Sequence, residues 1–140
     1  MFCDIKKEAM SPTVRKLISE SLWNQSAEVI DKRAAEFQYR SDLDLYGWIE
    51  NNEILCVCGV EVYSDWVVIR NIAVDPNIRN RGIGKAMIIA VQQKYKTTIK
   101  AETDDDAVEF YRKCGFETEA FMKTYNGSEY KRYKCVLDYN

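Results

Sequence analysis

Apolar positions along the chain change period several times, and each change marks an element. Val14, Leu17, Ile18 and Leu22 recur at helical spacing behind Ser11-Pro12, an N-cap followed by a first helical residue. A second helix is predicted over residues 26–39, with Val29, Ile30, Arg33, Ala34 and Phe37 on related faces. The pattern then shortens to strand-like runs at 43–50, 54–63 and 66–74, separated by the turn pairs Asn51-Asn52 and Ser64-Asp65. An antiparallel meander follows from that spacing, with residues 2–7 as a short strand before it.

After Asp75-Pro76 the period lengthens again. Ile83, Met87, Ala90 and Val91 follow helix spacing to about Tyr95, and residues 97–102 read as a strand. Asp104 is expected to begin a further helix with Ala107, Phe110, Tyr111 and Cys114 on one stripe, ended by Gly115. Two last strands, at 118–125 and 130–137, join through Asn126-Gly127. The order β-α-α-β-β-β-α-β-α-β-β predicts a mixed α/β (α+β) fold. Its central sheet is mixed and mostly antiparallel, of about seven strands flanked by about four helices. No repeat or polar linker divides the chain, so residues 1–140 are expected to form a single domain.

Composition changes this picture in three places. Twenty basic against 22 acidic residues leave a net charge of -2, which argues against a nucleic-acid-coating protein. The charged N-terminus Met-Phe-Cys-Asp-Ile-Lys-Lys-Glu and the short apolar runs argue against a leader or a membrane span. Together with the odd cysteine count they predict a cytoplasmic protein with free thiols and no membrane partner. Cys56 and Cys58 share one strand face and are expected as small buried apolar groups. The acidic run Asp104-Asp105-Asp106 is expected to serve a helix N-terminus, so no metal is predicted. The histidine count is zero, which excludes Ser-His-Asp and Cys-His machinery and leaves proton transfer to carboxylates, Tyr, Lys, Cys or water.

The chemistry concentrates between Ile72 and Met87. A strand ends at Val74-Asp75-Pro76, and a turn rich in Arg and Gly opens a helix. Amides at a helix start lack intrahelical partners and lie at the positive end of the dipole. Gly82 and Gly84 are expected to let an anion approach, with Arg79, Arg81 and Lys85 adding charge. The nucleotide-loop pattern fails because Ala86 follows Lys85, and the dinucleotide fingerprint fails because Met87 holds its third glycine position.

What remains, Arg79-x-x-Gly82-x-Gly84, resembles the pyrophosphate signature of the GNAT superfamily of N-acetyltransferases. Downstream, the run from Asp104 through Ala107, Phe110-Tyr111 and Gly115-Phe116 resembles that family's Asn-x-x-Ala-x-x-Phe-Tyr-x-x-x-Gly-Phe segment, with Asp104 in place of Asn. The resemblance implies a GNAT-like acyl-CoA N-acyltransferase fold with acetyl-CoA as cosubstrate. A cleft is implied between the fourth and fifth strands. The backbone of Ile72, Ala73 and Val74 would line it, with the Ile72 N–H polarising the thioester carbonyl. The amides of Arg79, Asn80, Arg81, Gly82, Ile83, Gly84 and Lys85 would hold the pyrophosphate, with Asp104 and Tyr111 also on the cofactor side and Tyr111 as general acid.

The base is not evident. Val68 stands where some relatives carry a glutamate, leaving Glu61, Glu102 and Asp104 as candidates. The acceptor is implied to be a primary amine of a small molecule or protein. Trp23, Tyr46, Trp48, Tyr125 and Tyr130 are aromatic candidates for its pocket. The resemblance leaves a homodimer open, and a non-catalytic acyl-CoA sensor stands as the alternative reading.

Overall fold

A computed structural model describes residues 1–140. It contains strands β1 (Phe2–Asp4), β2 (Leu43–Glu50), β3 (Glu53–Val62), β4 (Trp66–Val74), β5 (Thr98–Thr103), β6 (Glu117–Tyr125) and β7 (Ser128–Leu137). The helices are α1 (Pro12–Glu20), α2 (Ala27–Tyr39), α3 (Ile83–Tyr95) and α4 (Val108–Lys113). The seven strands form one sheet in the order β1-β2-β3-β4-β5-β7-β6, antiparallel throughout except for the β4–β5 pair. No helix is long and apolar enough to cross a membrane.

Local chemistry explains most boundaries. Ser11 and Ser26 accept the amides of Val14 and Val29 at the starts of α1 and α2. Asn51 and Asn52 hold φ of 52° and 64°, and Asn126 and Gly127 hold 49° and 78°, the positive pair a tight hairpin requires. Two expectations shift. The first strand stops at Asp4, because Ile5 turns into the core at 3% exposure and Lys6–Glu8 form a 3-10 turn. The helix expected from Asp104 begins at Val108, because the Asp104 carboxylate accepts the amides of Asp106 and Ala107 in a turn.

Two apolar layers cover the sheet. On one face α1 and α2 bury Val14, Leu17, Ile18, Ala34 and Phe37 against Leu43, Leu45, Val57 and Ala73. On the other, α3 and α4 bury Ile83, Met87, Ile88, Val91 and Tyr111 against Cys56, Cys58, Val67, Ile69 and Ile99. Cys56 and Cys58 are thus buried apolar groups of the second layer, as their spacing predicted.

This second layer also sets the alkaline limit of stability. Burial pushes the Cys56 thiol and the Tyr46 phenol up to about 12, and holds Cys58, Tyr95 and Tyr111 well above their ordinary values. The folded chain keeps these protons beyond the pH at which the unfolded chain releases them, near 9 for Cys and 10 for Tyr. Their contribution is therefore complete below about pH 9 and is lost as pH rises towards 12, at about 1.4 kcal/mol per group and pH unit. Urea midpoints should fall steeply between pH 9 and pH 11; midpoints flat across that range would refute the assignment.

Candidate active site

One residue reorganises β4. Its register with β3 pairs Ile69 with Val60 and Asn71 with Gly59, so Arg70 lies outside the ladder as a bulge. Before the bulge, Val67 and Ile69 face the α3–α4 layer. After it, Asn71 and Ala73 face α1, and Ile72 and Val74 pack against the α3–α4 layer. Uninterrupted alternation would have put residues 67, 69, 71 and 73 on one face.

The partner strand on the other side stops early. β4 and β5 pair only through Trp66–Thr98, Val67–Ile99 and Val68–Lys100, after which β5 continues with β7 alone. From Ile69 onward, one edge of β4 borders a gap. Asp75 N–H donates to the Leu55 carbonyl at 2.8 Å. By antiparallel alternation Ala73 and Asn71 bond to β3, while the amides of Ile72 and Val74 point into the gap. The Val74 carbonyl agrees, since it accepts from Arg79 Nε at 3.4 Å rather than from β3.

The gap leads to the start of α3. The Asp75 side chain accepts the Asn77 amide, Pro76–Ile78 form a 3-10 turn, and Asn80 and Gly82 adopt φ of 69° and 79°. Gly82 caps α3 without a side-chain hydrogen bond, and the first helical bond runs from the Ala86 amide to the Gly82 carbonyl. The amides of Ile83, Gly84 and Lys85 are left as helix-start donors. A Cβ on Gly82 would meet nothing within 4 Å, so open space lies over the turn. Arg79 and Arg81 reach Glu20 and Glu50 only at 3.6 and 4.0 Å, long contacts that an arriving anion can outcompete. These features fit a diphosphate. Gly84 also serves a packing contact, because it is buried and its Cβ would lie 2.7 Å from Phe110 Cε1. Its missing side chain lets α3 approach α4.

Tyr111 lies on the same side of the sheet, 6% exposed between the edges of Phe110 and Phe116, each with its ring centroid at 5.2 Å. Burial holds its phenol well above 10, reinforced by Cys58, Cys135, Cys114 and Asp104. Tyr111 and Cys58 belong to one buried cluster, against which Ile72, the cross-strand partner of Cys58, also packs. The Tyr111 hydroxyl makes no hydrogen bond within the protein. Asp104 stands at the end of β5 across the gap, its carboxylate occupied by two backbone amides.

Other expectations separate here. The five aromatic residues named for an acceptor pocket do not meet. Trp23, Tyr125 and Tyr130 are 99%, 65% and 52% exposed, whereas Tyr46 is buried on Phe2 and hydrogen-bonded to Tyr95. Trp48 lies on β2 between Phe2 and Cys56 and donates to Glu50. All three carboxylates weighed as bases are engaged, Asp104 by the two amides already described and the others by side chains. The Tyr63 hydroxyl and Arg70 hold Glu61 below the ordinary range. Burial pushes Glu102 up, but Lys123 and Arg132 outweigh it and leave that carboxyl lowered.

Sequence reading missed a polar chain beside the bulge. Arg33 Nη1 donates to Asn71 Oδ1 at 2.8 Å, and Asn71 Nδ2 donates to Ser21 Oγ at 2.7 Å. The available signal was an arginine inside the apolar stripe of α2.

Comparison with known proteins agrees with this architecture. The profile of the acetyltransferase (GNAT) domain family matches residues 42–118. An uncharacterized N-acetyltransferase from Bacillus methanolicus is 27% identical over 109 residues, covering 77% of this chain and 90% of that protein. A GNAT acetyltransferase from Elizabethkingia anophelis, solved with acetyl-CoA bound, superposes with a TM-score of 0.70 at 22% identity, covering 99% and 97% of the two chains. A GNAT-family protein from Desulfovibrio desulfuricans gives 0.79 at 17% identity, covering 99% and 98%. The family profile spans more than half of the sequence and takes in the bulge, the gap and the Gly-rich turn, and the chain belongs to the GNAT acetyltransferases.

Proposed function

We propose that the protein transfers an acetyl group from acetyl-CoA to a primary amine by direct attack. The observation that carries this reading is the gap beside β4, with the amides of Ile72 and Val74 turned into it and the uncapped start of α3 at its mouth. The backbone from Arg79 to Lys85 holds the diphosphate of the cosubstrate. Val74 pairs with the amide-bearing arm, as a strand edge does. The Ile72 N–H points at the thioester carbonyl, where a positioned donor contributes about 3 kcal/mol to the developing oxyanion.

Tyr111 then donates a hydrogen bond to the departing sulfur. Its raised pKa keeps the phenol protonated across the neutral range. The same dry surroundings destabilise a thiolate beside it, which narrows the gap between donor and leaving group. The paired carboxylates of Glu61 and Glu102 make poor bases, so the attacking amine gives its proton to water.

Thermal unfolding with acetyl-CoA, CoA and ATP in separate titrations tests the cosubstrate. Saturation at a hundredfold over the dissociation constant should stabilise by about 2.7 kcal/mol. A shift with both CoA species and none with ATP supports the reading. The absence of any shift with the CoA species sinks it.

A further inference from the structure

A second concavity lies on the opposite face of the sheet, under α2. It has a volume of about 260 Å³ and is walled by Arg33, Glu36, Phe37 and Arg40 of α2, Leu43 of β2, Glu61 of β3 and Arg70 of β4. Five of those seven residues are charged, three positively and two negatively. The arginines differ in what they already hold. Arg40 is saturated by Asp42 at 2.6 Å and Glu36 at 3.2 Å. Arg70 turns Nε and Nη2 to Glu61, leaving Nη1 without a partner. Arg33 spends its short bond on the uncharged Asn71 oxygen, and its nearest carboxylate contact is Glu36 at 3.7 Å from Nε, so Nη2 is also free.

Both free nitrogens are held in place. Arg33 is fixed through Asn71, which is 4% exposed and anchored at its other end by Ser21. Arg70 is the residue the β4 bulge expels from the ladder. The same bulge turns Ile72 towards the gap, so Arg70 and the proposed oxyanion donor are two residues apart, about 7 Å along a strand. Two guanidinium edges in one cavity suit a planar carboxylate, which they grip more strongly than a neutral group.

We propose that the acceptor is a small amine bearing its own carboxylate, of amino-acid type. Its acid group binds Arg33 and Arg70 while its amine reaches the thioester beside Ile72. This assignment rests on the acetyltransfer reading and narrows it. It excludes simple polyamines, which would bring further positive charge to the arginines.

The test uses reaction products as probes. A panel of N-acetyl amino acids, and the corresponding N-alkylacetamides lacking the carboxylate, is titrated into the protein with saturating CoA while the unfolding midpoint is followed. The acids should raise the midpoint and their carboxylate-free counterparts should not. Arg33→Gln and Arg70→Gln should each weaken acid binding about tenfold or more, and Arg33→Lys should recover part of it. Wild-type turnover on free amino acids should exceed that on the decarboxylated amines, with the arginine variants raising KM rather than lowering kcat. No stabilisation by any acid at millimolar concentration overturns the proposal, as does equal binding of both halves of the panel or unchanged discrimination in both variants. The midpoint shift from CoA alone, read in the same samples, separates the two ideas. Its loss sinks the acetyltransfer reading, whereas its persistence without an acid effect sinks only the carboxylate site.

Discussion

Tyr111→Phe should lower turnover about a hundredfold, at the lower end of what a positioned proton donor contributes. Acetyl-CoA affinity and folding stability should barely change. The stability half of that expectation follows from the site itself. The ring is wedged between Phe110 and Phe116, and phenylalanine keeps both edge contacts. The hydroxyl has no partner in the protein, so its removal leaves no buried group unsatisfied. The rate half follows from the proposed role, since Tyr111 shares the buried layer of Cys58 against which Ile72 packs. The pH dependence adds a second signature. With the phenol held well above 10, no loss of activity from Tyr111 ionisation should appear below pH 10. Single-turnover rates with a reactive amine, measured alongside CoA binding, decide the matter. A variant with wild-type turnover would remove the hydroxyl from the mechanism. A variant that loses CoA affinity in step with turnover would make it a binding residue.

Gly59→Ala should be among the most destabilising single substitutions in the chain, by about 3 kcal/mol or about 10 °C in Tm. A Cβ there would lie 2.1 Å from Phe37 Cζ and 2.3 Å from Cε1. Phe37 is fully buried and cannot swing away. The expected signature is coupling rather than simple loss. Phe37→Leu in the Gly59→Ala background should recover part of the stability, although Phe37→Leu alone lowers it. Urea unfolding of the four proteins measures the interaction energy. Strict additivity of the two changes would show that the ring does not need the glycine. Gly59 also faces Asn71 across the ladder, so the strained variant should disturb the Arg33–Asn71 contact.

These residues mark where sequence reading reached and where it stopped. The bounds of β2, β4 and α3 follow from local signals: alternation, paired turn residues, and Pro76 at the end of a strand. The Gly-rich turn was legible because glycine at Gly82 answers a backbone need, a φ of 79°. Asp104 misled by being a good cap, since its carboxylate organises a turn first and α4 starts four residues later. The insertion of β7 between β5 and β6 was not readable, because element order does not fix pairing. The bulge at Arg70 left no compositional mark, since an arginine outside the ladder looks like any exposed strand residue. The expected aromatic pocket failed for a related reason. Trp23 sits on the connection between α1 and α2 and Tyr125 on the last position of β6, and only tertiary packing sets what such residues face.

The bulge also constrains how the length of this strand can change. Deleting Arg70 alone would leave Ile69 opposite Val60 and Asn71 opposite Gly59, so the two halves of the strand would join in plain alternation with every face kept. Val67, Ile69, Ile72 and Val74 would still face the α3–α4 layer, and Asn71 and Ala73 would still face α1. Removing one residue between Val67 and Ile69 instead would turn part of the strand over, because the bulge no longer makes up the count. A single-residue deletion in β4 should therefore be tolerated best at position 70, at the price of the Arg70 guanidinium.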